Sequence, residues 1–223
     1  MYEELINSFY AAKNEESAEK MAAYMKNKFP YLGIYKPKRA GLESAFLKEA
    51  RKGGIDWGFV EYLWSLPERE FQYLAMDYLG ALKKKLKEED LPRVRRLIEN
   101  KQWWDTVDFL AAVLIGEICA RYPRLIPEVS SYALSGDIWL KRTAILFQIK
   151  YKAKTDAALL GSILEKCGGT KEFFLNKAIG WALREYSRPT RTGSGAILTA
   201  TRSTRFLSGK ARNIFDGYPS PPS

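Results

Sequence analysis

The chain has 223 residues, of which 46% are hydrophobic and 28% are charged. This length and composition predict a soluble globular protein with a sizeable core. The sequence contains no histidine, which excludes serine–histidine triads, imidazole general bases and the His-containing zinc motifs of metalloproteases. No apolar run reaches the roughly 18 residues that a membrane-spanning helix needs. The first residues, MYEELINSFYAAKNEESAEK, lack the basic start and apolar block of a secretory signal.

The net charge of +10 favours an anionic partner such as nucleic acid. About half of this excess lies in residues 187–223, which hold five Arg, one Lys and one Asp. The rest of the chain is therefore only modestly basic, and charge alone is weak evidence for a nucleic-acid-binding protein.

Residues 1–186 show apolar positions at three- and four-residue spacing, which is the period of amphipathic helices. The clearest cases are SAEKMAAYMKNKF, WGFVEYLWSL, EFQYLAMDYLGALKKKL and IWLKRTAILFQIKYK. Short breaks rich in turn and cap residues separate the helices, such as KGGID, LPERE, DLPR, YPRLIP, SGD and GGT. We therefore predict an all-α fold, an α-solenoid of antiparallel helices with a repeat of roughly 40 residues.

The two cysteines, Cys119 and Cys167, lie in segments predicted to be helical and are far apart in the sequence. Two such residues do not make the disulfide framework of a small secreted domain. We expect both to be small core residues in a reducing compartment.

The character of the sequence changes after Tyr186. Residues 187–223 form an atypical basic tail rich in Ser, Thr, Gly and Pro, whereas residues 1–186 form the predicted helical-repeat domain. Two interpretations of the tail are open. It is either a disordered segment whose Arg side chains contact phosphates, or a segment translated out of frame, because shifting its possible codons by two bases permits helix-like text such as DPDWVRR and IYTLSVREGAQYL.

The string KQWWDTVDFL places aromatic and acidic residues together at the start of an apolar helix. Trp104 and Asp108 are four residues apart, so they share one helical face. Trp103 is expected to pack inward or to brace the fold, and Asp105 is expected to be a cap or a local structural acid. Taken one by one, such residues have ordinary structural explanations. A tryptophan in a helix is usually a packing residue, an Asp in the first turn is usually a cap, and an Arg on a helix is usually a solvated charge or a salt-bridge partner.

Taken together, several strings are much more specific. The segments AAYMKNKFPYLGIYKPKR, WSLPEREFQYLAMDYL, NKQWWDTVDFL, IWLKRTAILFQIKYK and KEFFLNKAIGWALREY closely resemble, in this order, the AlkD family of DNA alkylation-repair glycosylases. This family has HEAT-like helical repeats with a concave DNA-binding face. The resemblance runs from the N-terminal helices to Tyr186.

The resemblance implies a role for each matching residue. Asp108 corresponds to the catalytic carboxylate, and Arg142 to the essential arginine beside it and the DNA backbone. Trp104 and Trp181 correspond to the two walls of the lesion cleft. Tyr24, in YMKNKF, matches a tyrosine near that cleft.

The turn LGIYKP departs from the family pattern, because Tyr35 stands where the family has a polar amide. Any DNA contact that the amide would make at this turn is therefore in doubt. Basic residues near the matching strings are candidates for phosphate binding, with solvated surface charge as the open alternative for each: Lys101, Lys141, Lys177 and Arg184.

The resemblance also implies an activity. The expected enzyme is a monomeric, monofunctional glycosylase of the bacterial cytosol, associated with the nucleoid when bound to DNA. It removes N3- and N7-alkylated purines from double-stranded DNA without flipping the base, and it needs no metal and no cofactor. Two alternatives stay open at this point: a non-catalytic DNA-binding relative, and a helical-repeat scaffold that binds proteins.

Overall fold

The computed structural model describes residues 2–187, and every regular element in that range is helical. The predicted all-α helical-repeat fold is therefore confirmed. The described residues divide into two compact units, with the division between Leu97 and Ile98. The predictions for residues 188–223, including disorder and translation out of frame, lie outside the described residues.

The first unit contains five α-helices and most of a sixth. They are α1 (Tyr2–Ala11), α2 (Glu15–Tyr24), α3 (Lys36–Ala50), α4 (Trp57–Ser65), α5 (Arg69–Leu82) and α6 (Leu91–Ile98), with 3₁₀ turns at Lys83–Lys85 and Glu88–Asp90. Side-chain caps explain two of the helix starts. Asn14 accepts a hydrogen bond from Ser17 N before α2, and Asp56 accepts one from Phe59 N before α4. The break KGGID therefore ends with the cap of the next helix.

A buried carboxylate fixes the loop between α2 and α3. Glu70 accepts hydrogen bonds from the backbone N–H groups of Leu32, Gly33 and Ile34, at 3.0, 2.9 and 3.1 Å. Gly33 has φ +83°, and a Cβ atom there would lie 2.1 Å from the carbonyl oxygen of Asn14. Only glycine fits this position, because the backbone is left-handed and the neighbouring chain is too close for a side chain.

A second buried acid lies between α3 and α5. The guanidinium of Arg39 donates to Asp77 at 3.0 Å, and both groups act electrostatically on Glu43, which is 3% exposed. Burial, followed by the charge of Asp77, raises the pKa of Glu43 to about 8, against the opposing effect of Arg39. Glu43 is therefore largely protonated at neutral pH.

The second unit continues the helical pattern. Its elements are α7 (Trp104–Phe109), a π-helical segment (Leu110–Ile115), α8 (Gly116–Arg121), α9 (Ile126–Ser131), α10 (Ile138–Leu146), α11 (Ala157–Cys167) and α12 (Phe173–Ser187), with 3₁₀ turns at Pro123–Leu125, Tyr132–Leu134 and Lys152–Lys154. Asp137 caps α10 through the N–H groups of Trp139 and Leu140, and Asp156 caps α11.

The helix that carries the WWD string is continuous but irregular. Helix α7 passes directly into the π-helical segment and then into α8. A Cβ atom on Gly116 would lie 2.6 Å from the carbonyl oxygen of Phe147, so the absence of a side chain lets the two backbones meet. The carbonyl of Gly116 also accepts a 2.7 Å hydrogen bond from the Tyr151 hydroxyl. π-Helical turns of this kind occur frequently at functional sites.

Both cysteines are free and buried, as expected. Burial raises the pKa of the Cys119 thiol to about 12, which makes it an inert core residue. None of the helices in residues 2–187 is both long enough and apolar enough to span a membrane.

Candidate active site

Three helices of the second unit meet at one polar group. Helix α10 packs against both α7 and α12. The cap formed by Asp137 fixes the start of α10, and Arg142 follows about one and a half turns later. Its side chain therefore lies between the two neighbouring helices rather than on the surface, with a residue exposure of 5%.

Asp108 on α7 and Arg142 on α10 form a two-point ion pair. The Nε atom of Arg142 donates to Asp108 Oδ1 at 2.6 Å, and its Nη2 atom donates to Oδ2 at 2.8 Å. The two side chains are 6% and 19% exposed, with the carboxylate the more accessible partner. This parallel geometry fixes the plane of the carboxylate while leaving part of it open to a ligand.

A third helix, α12, also contacts the guanidinium of Arg142. The Nη1 atom of Arg142 donates to the backbone carbonyl of Phe174 on α12. Three of the five N–H bonds of the arginine thus have protein acceptors. The orientation of Asp108 consequently depends on α7, α10 and α12 together.

An aromatic cluster packs around this connection. The rings of Trp103 and Trp139 are 5.6 Å apart, and the ring of Phe174 lies 5.0 Å from each of them. Such separations are favourable for aromatic packing. Trp103 is half-buried, like Trp104, and packs against two aromatic rings of this cluster. The cluster includes Phe174, whose backbone carbonyl contacts Arg142.

Two opposing effects determine the protonation of Asp108. Burial raises the pKa of its carboxyl above the ordinary value, and the Arg142 guanidinium acts in the opposite direction. The negative charge of Asp105 adds a smaller upward effect. Asp105 lies in the first turn of α7, whereas the N-cap position belongs to Trp103, so Asp105 acts as a local acid rather than as the N-cap residue.

The two predicted wall residues lie on the helices that hold the ion pair. Trp104 is the first residue of α7, one turn before Asp108 and on the same face. Trp181 lies on α12, seven residues after Phe174, so the two side chains share one face of the helix and are about 10 Å apart along its axis. Both indoles are half-buried.

Four predicted phosphate-binding residues also belong to the second unit. Lys101, Lys141 and Lys177 are half-buried, whereas Arg184 is exposed. The Nζ atom of Lys177 lies 5.6 Å from the ring centre of Phe173, which is itself 46% exposed. Lys101 has a left-handed backbone with φ +50° in the turn just before α7.

The other two predicted DNA contacts belong to the first unit. Tyr24 ends α2 with 62% exposure, and Tyr35 is the N-cap residue of α3 with 50% exposure. Both side chains are therefore open to a ligand, and the loop between them is the one that Glu70 fixes.

Sequence reasoning missed two parts of the site. Phe174 contributes a backbone carbonyl, which no residue type signals, and Trp139 lies in the string IWLKRTAILFQIKYK without any feature that marks it as part of a site. Within residues 2–187 no three or more His, Cys, Asp or Glu side chains come together as a possible metal site.

Comparison with known proteins gives a consistent result. The family model of the DNA alkylation repair enzymes matches residues 5–204, so the match passes beyond the described residues into the basic tail. A solved structure of a predicted DNA alkylation repair enzyme from Enterococcus faecalis is 28% identical, with a TM-score of 0.73 over 94% of this chain and 92% of that chain. A search of curated proteins found no significant match. Because the family model covers most of its length, the chain belongs to the family of DNA alkylation repair enzymes.

Proposed function

We propose that this protein is a DNA glycosylase that hydrolyses the N-glycosidic bond of cationic N3- and N7-alkylated purines, such as 3-methyladenine and 7-methylguanine, in duplex DNA. The observation that carries the proposal is the partly accessible carboxylate of Asp108, held at two points by a buried arginine. A carboxylate in this setting suits a reaction in which positive charge develops on a sugar.

The chemistry of the substrate explains why no histidine is needed. A purine alkylated at N3 or N7 is already cationic, so it leaves as a neutral base without a general acid. The difficult step is the positive charge that develops on the deoxyribose as the bond breaks. A fixed carboxylate stabilises such an oxocarbenium-like state, as glycosidase carboxylates do. Asp108 supplies that charge and orients the attacking water.

Selectivity for the damaged base comes from the tryptophans in this proposal. The face of an indole attracts a cation, and the attraction amounts to about 1–2 kcal/mol when both groups are desolvated. Trp104 and Trp181 therefore favour an alkylated, cationic nucleotide over a normal one. Both lie on helices that contact the ion pair, α7 and α12, which is consistent with this role.

The position of Arg142 refines its expected role. Three of its N–H bonds are used within the protein, so we assign it first to holding Asp108 in the reactive orientation. The predicted phosphate contact would have to use its two remaining N–H bonds.

DNA binding would be sequence-independent and sensitive to salt. Lys101, Lys141, Lys177 and Arg184 are the proposed phosphate contacts of the second unit, and Tyr24 and Tyr35 are proposed contacts of the first. Action on a base that stays stacked would avoid the unstacking cost of a few kcal/mol and would tolerate bulky adducts. No lysine of this chain matches a nucleophilic role. We therefore expect the enzyme to hydrolyse the N-glycosidic bond without cleaving the DNA strand.

The test is release of 7-methylguanine from methylated duplex DNA, comparing the wild type with Asp108→Asn. We expect release to fall roughly a hundredfold or more in the variant. Asp105→Asn is the matched control, since it removes a neighbouring carboxylate outside the ion pair, and it should retain most activity. Circular dichroism of each variant checks that the fold is preserved.

The outcomes separate the alternatives. Equal release by the wild type and Asp108→Asn would refute the assigned role of Asp108. No release from either, with salt-dependent DNA binding intact, would identify a non-catalytic DNA-binding relative. Absence of DNA binding as well would favour a protein-binding scaffold.

A further inference from the structure

A groove on the first unit has a chemistry unlike the rest of this basic protein. It has a volume of about 680 Å³ and lies along α1 and the start of α4. Its lining includes three tyrosines, one phenylalanine and two acids: Tyr2, Tyr10, Tyr62, Phe59, Glu3 and Asp56. The proposed glycosylase reaction uses none of these residues.

The aromatic side chains of the groove are both ordered and accessible. Tyr2 stacks on Phe59 with a centroid distance of 4.0 Å, and its hydroxyl donates to Asp56 at 2.9 Å. The ring of Tyr10 lies 5.2 Å from the buried Phe71, yet the residue remains 40% exposed. Tyr62 is 49% exposed. The groove therefore presents aromatic ring surfaces to solvent, and those of Tyr2 and Tyr10 are packed on neighbouring rings.

The charge of the groove is negative, although the chain carries a net charge of +10. Helices α1 and α4 contain three acids and no Lys or Arg: Glu3, Glu4 and Glu61. Asp56 and Glu68 add acceptors at the hydroxyl groups of Tyr2 and Tyr10. Within residues 2–187, no Lys or Arg side chain forms an ion pair with Glu3, Asp56 or Glu61.

The length of the groove indicates the size of its ligand. Tyr2 and Tyr10 are eight residues apart on α1, which corresponds to about 12 Å. An extended peptide rises about 3.3 Å per residue, so this distance accommodates three to four residues. Acidic groups beside exposed aromatic faces recognise guanidinium groups in particular, because a planar guanidinium both stacks on a ring and pairs with a carboxylate.

We propose that the groove of α1 and α4 is a docking site for an extended, arginine-bearing peptide segment of a partner protein. The carboxylates of Glu3 and Asp56 attract the guanidinium groups, and Tyr10 and Tyr62 provide faces on which they stack. None of the residues that line the groove is among those proposed to contact DNA.

The test is fluorescence anisotropy with the labelled peptide Gly-Arg-Gly-Arg-Gly-Arg-Gly and the full-length protein. We expect saturable binding with a dissociation constant on the order of 0.1 mM. The double variant Glu3→Lys/Tyr62→Ala should bind roughly tenfold more weakly, because it loses one ion pair and one stacking face. Both residues are exposed, so the variant should fold, which its melting temperature checks.

Two controls make the result specific. Glu19→Lys makes the same charge change at an exposed position on α2 and should leave peptide binding unchanged apart from the effect of net charge. The peptide with lysine in place of arginine should bind several-fold more weakly. Affinity for duplex DNA should be no lower in the double variant than in the wild type.

Three results would overturn the proposal: no saturable peptide binding by the wild type up to about 1 mM, unchanged binding by the double variant, or equal binding of the two peptides. None of these depends on glycosylase activity.

Discussion

Asp108 and Arg142 should make strongly coupled contributions to the free energy of unfolding. At an effective dielectric constant of 20, charges about 4 Å apart attract by about 4 kcal/mol, and desolvation offsets part of that. Removal of one partner leaves a charge in a site where the side chains are only 6% and 19% exposed. Because the carboxylate retains some contact with water, we expect each of Asp108→Ala and Arg142→Met to destabilise the protein by about 2–4 kcal/mol.

The double variant Asp108→Ala/Arg142→Met should be less destabilised than the sum of the single variants, by about 2 kcal/mol, since neither charge is then left unpaired. Urea unfolding followed by tryptophan fluorescence measures this, because four of the six tryptophans belong to the second unit. Glycosylase activity should be absent from the double variant despite its recovered stability. Additivity within about 0.5 kcal/mol would refute the proposed coupling, and recovered activity would refute the role of the carboxylate.

Three further predictions concern the scaffold and the pH dependence. The pKa of Glu43 is raised to about 8, so its contribution to stability is present below about pH 4.5 and is lost as the pH rises through 8. In urea unfolding, Glu43→Gln should have about the same free energy of unfolding as the wild type near pH 5 and a value higher by a few kcal/mol near pH 9. If the difference between the two proteins does not change over this range, the raised pKa of Glu43 is wrong. Glu70→Ala should lower stability by about 3 kcal/mol in thermal unfolding, because three buried N–H groups lose their acceptor. A loss of stability below about 0.5 kcal/mol would mean that water replaces the Glu70 carboxylate as the acceptor of these N–H groups. Gly116→Ala should destabilise the protein by about 1–3 kcal/mol and lower base release, since its Cβ atom would lie 2.6 Å from the Phe147 carbonyl; wild-type stability in urea would show that the π-helical segment adapts.

The local sequence predicts the helices and several of their starts, but not every end. The helical strings SAEKMAAYMKNKF and IWLKRTAILFQIKYK continue beyond Tyr24 and Leu146, where α2 and α10 end. Apolar spacing predicted the helical pattern, and the caps Asp56 and Asp137 lie within the predicted breaks KGGID and SGD. These features depend on residues within one or two turns of each other, so they can be read along the chain. The family resemblance of the WWD string and its neighbours also identified the family correctly.

The sequence alone also suggested which side chains matter, but not how they meet. Trp104 and Asp108 share a face because helical geometry places residues four apart side by side. The pairing of Asp108 with Arg142, which is 34 residues away, depends on how α7 packs against α10. The third contact uses the carbonyl of Phe174, a backbone group that every residue has and that no sequence pattern distinguishes.

Tertiary structure likewise decided the surroundings of the buried acids. Glu43 and Glu70 are the same residue type on neighbouring helices of one unit, and both are almost fully buried. Glu70 receives three backbone hydrogen bonds, whereas Glu43 lies beside the negative charge of Asp77. Composition fixed the number of charges and the absence of histidine. The surroundings of each charge were fixed only by packing, because desolvation and neighbouring groups act through space rather than along the chain.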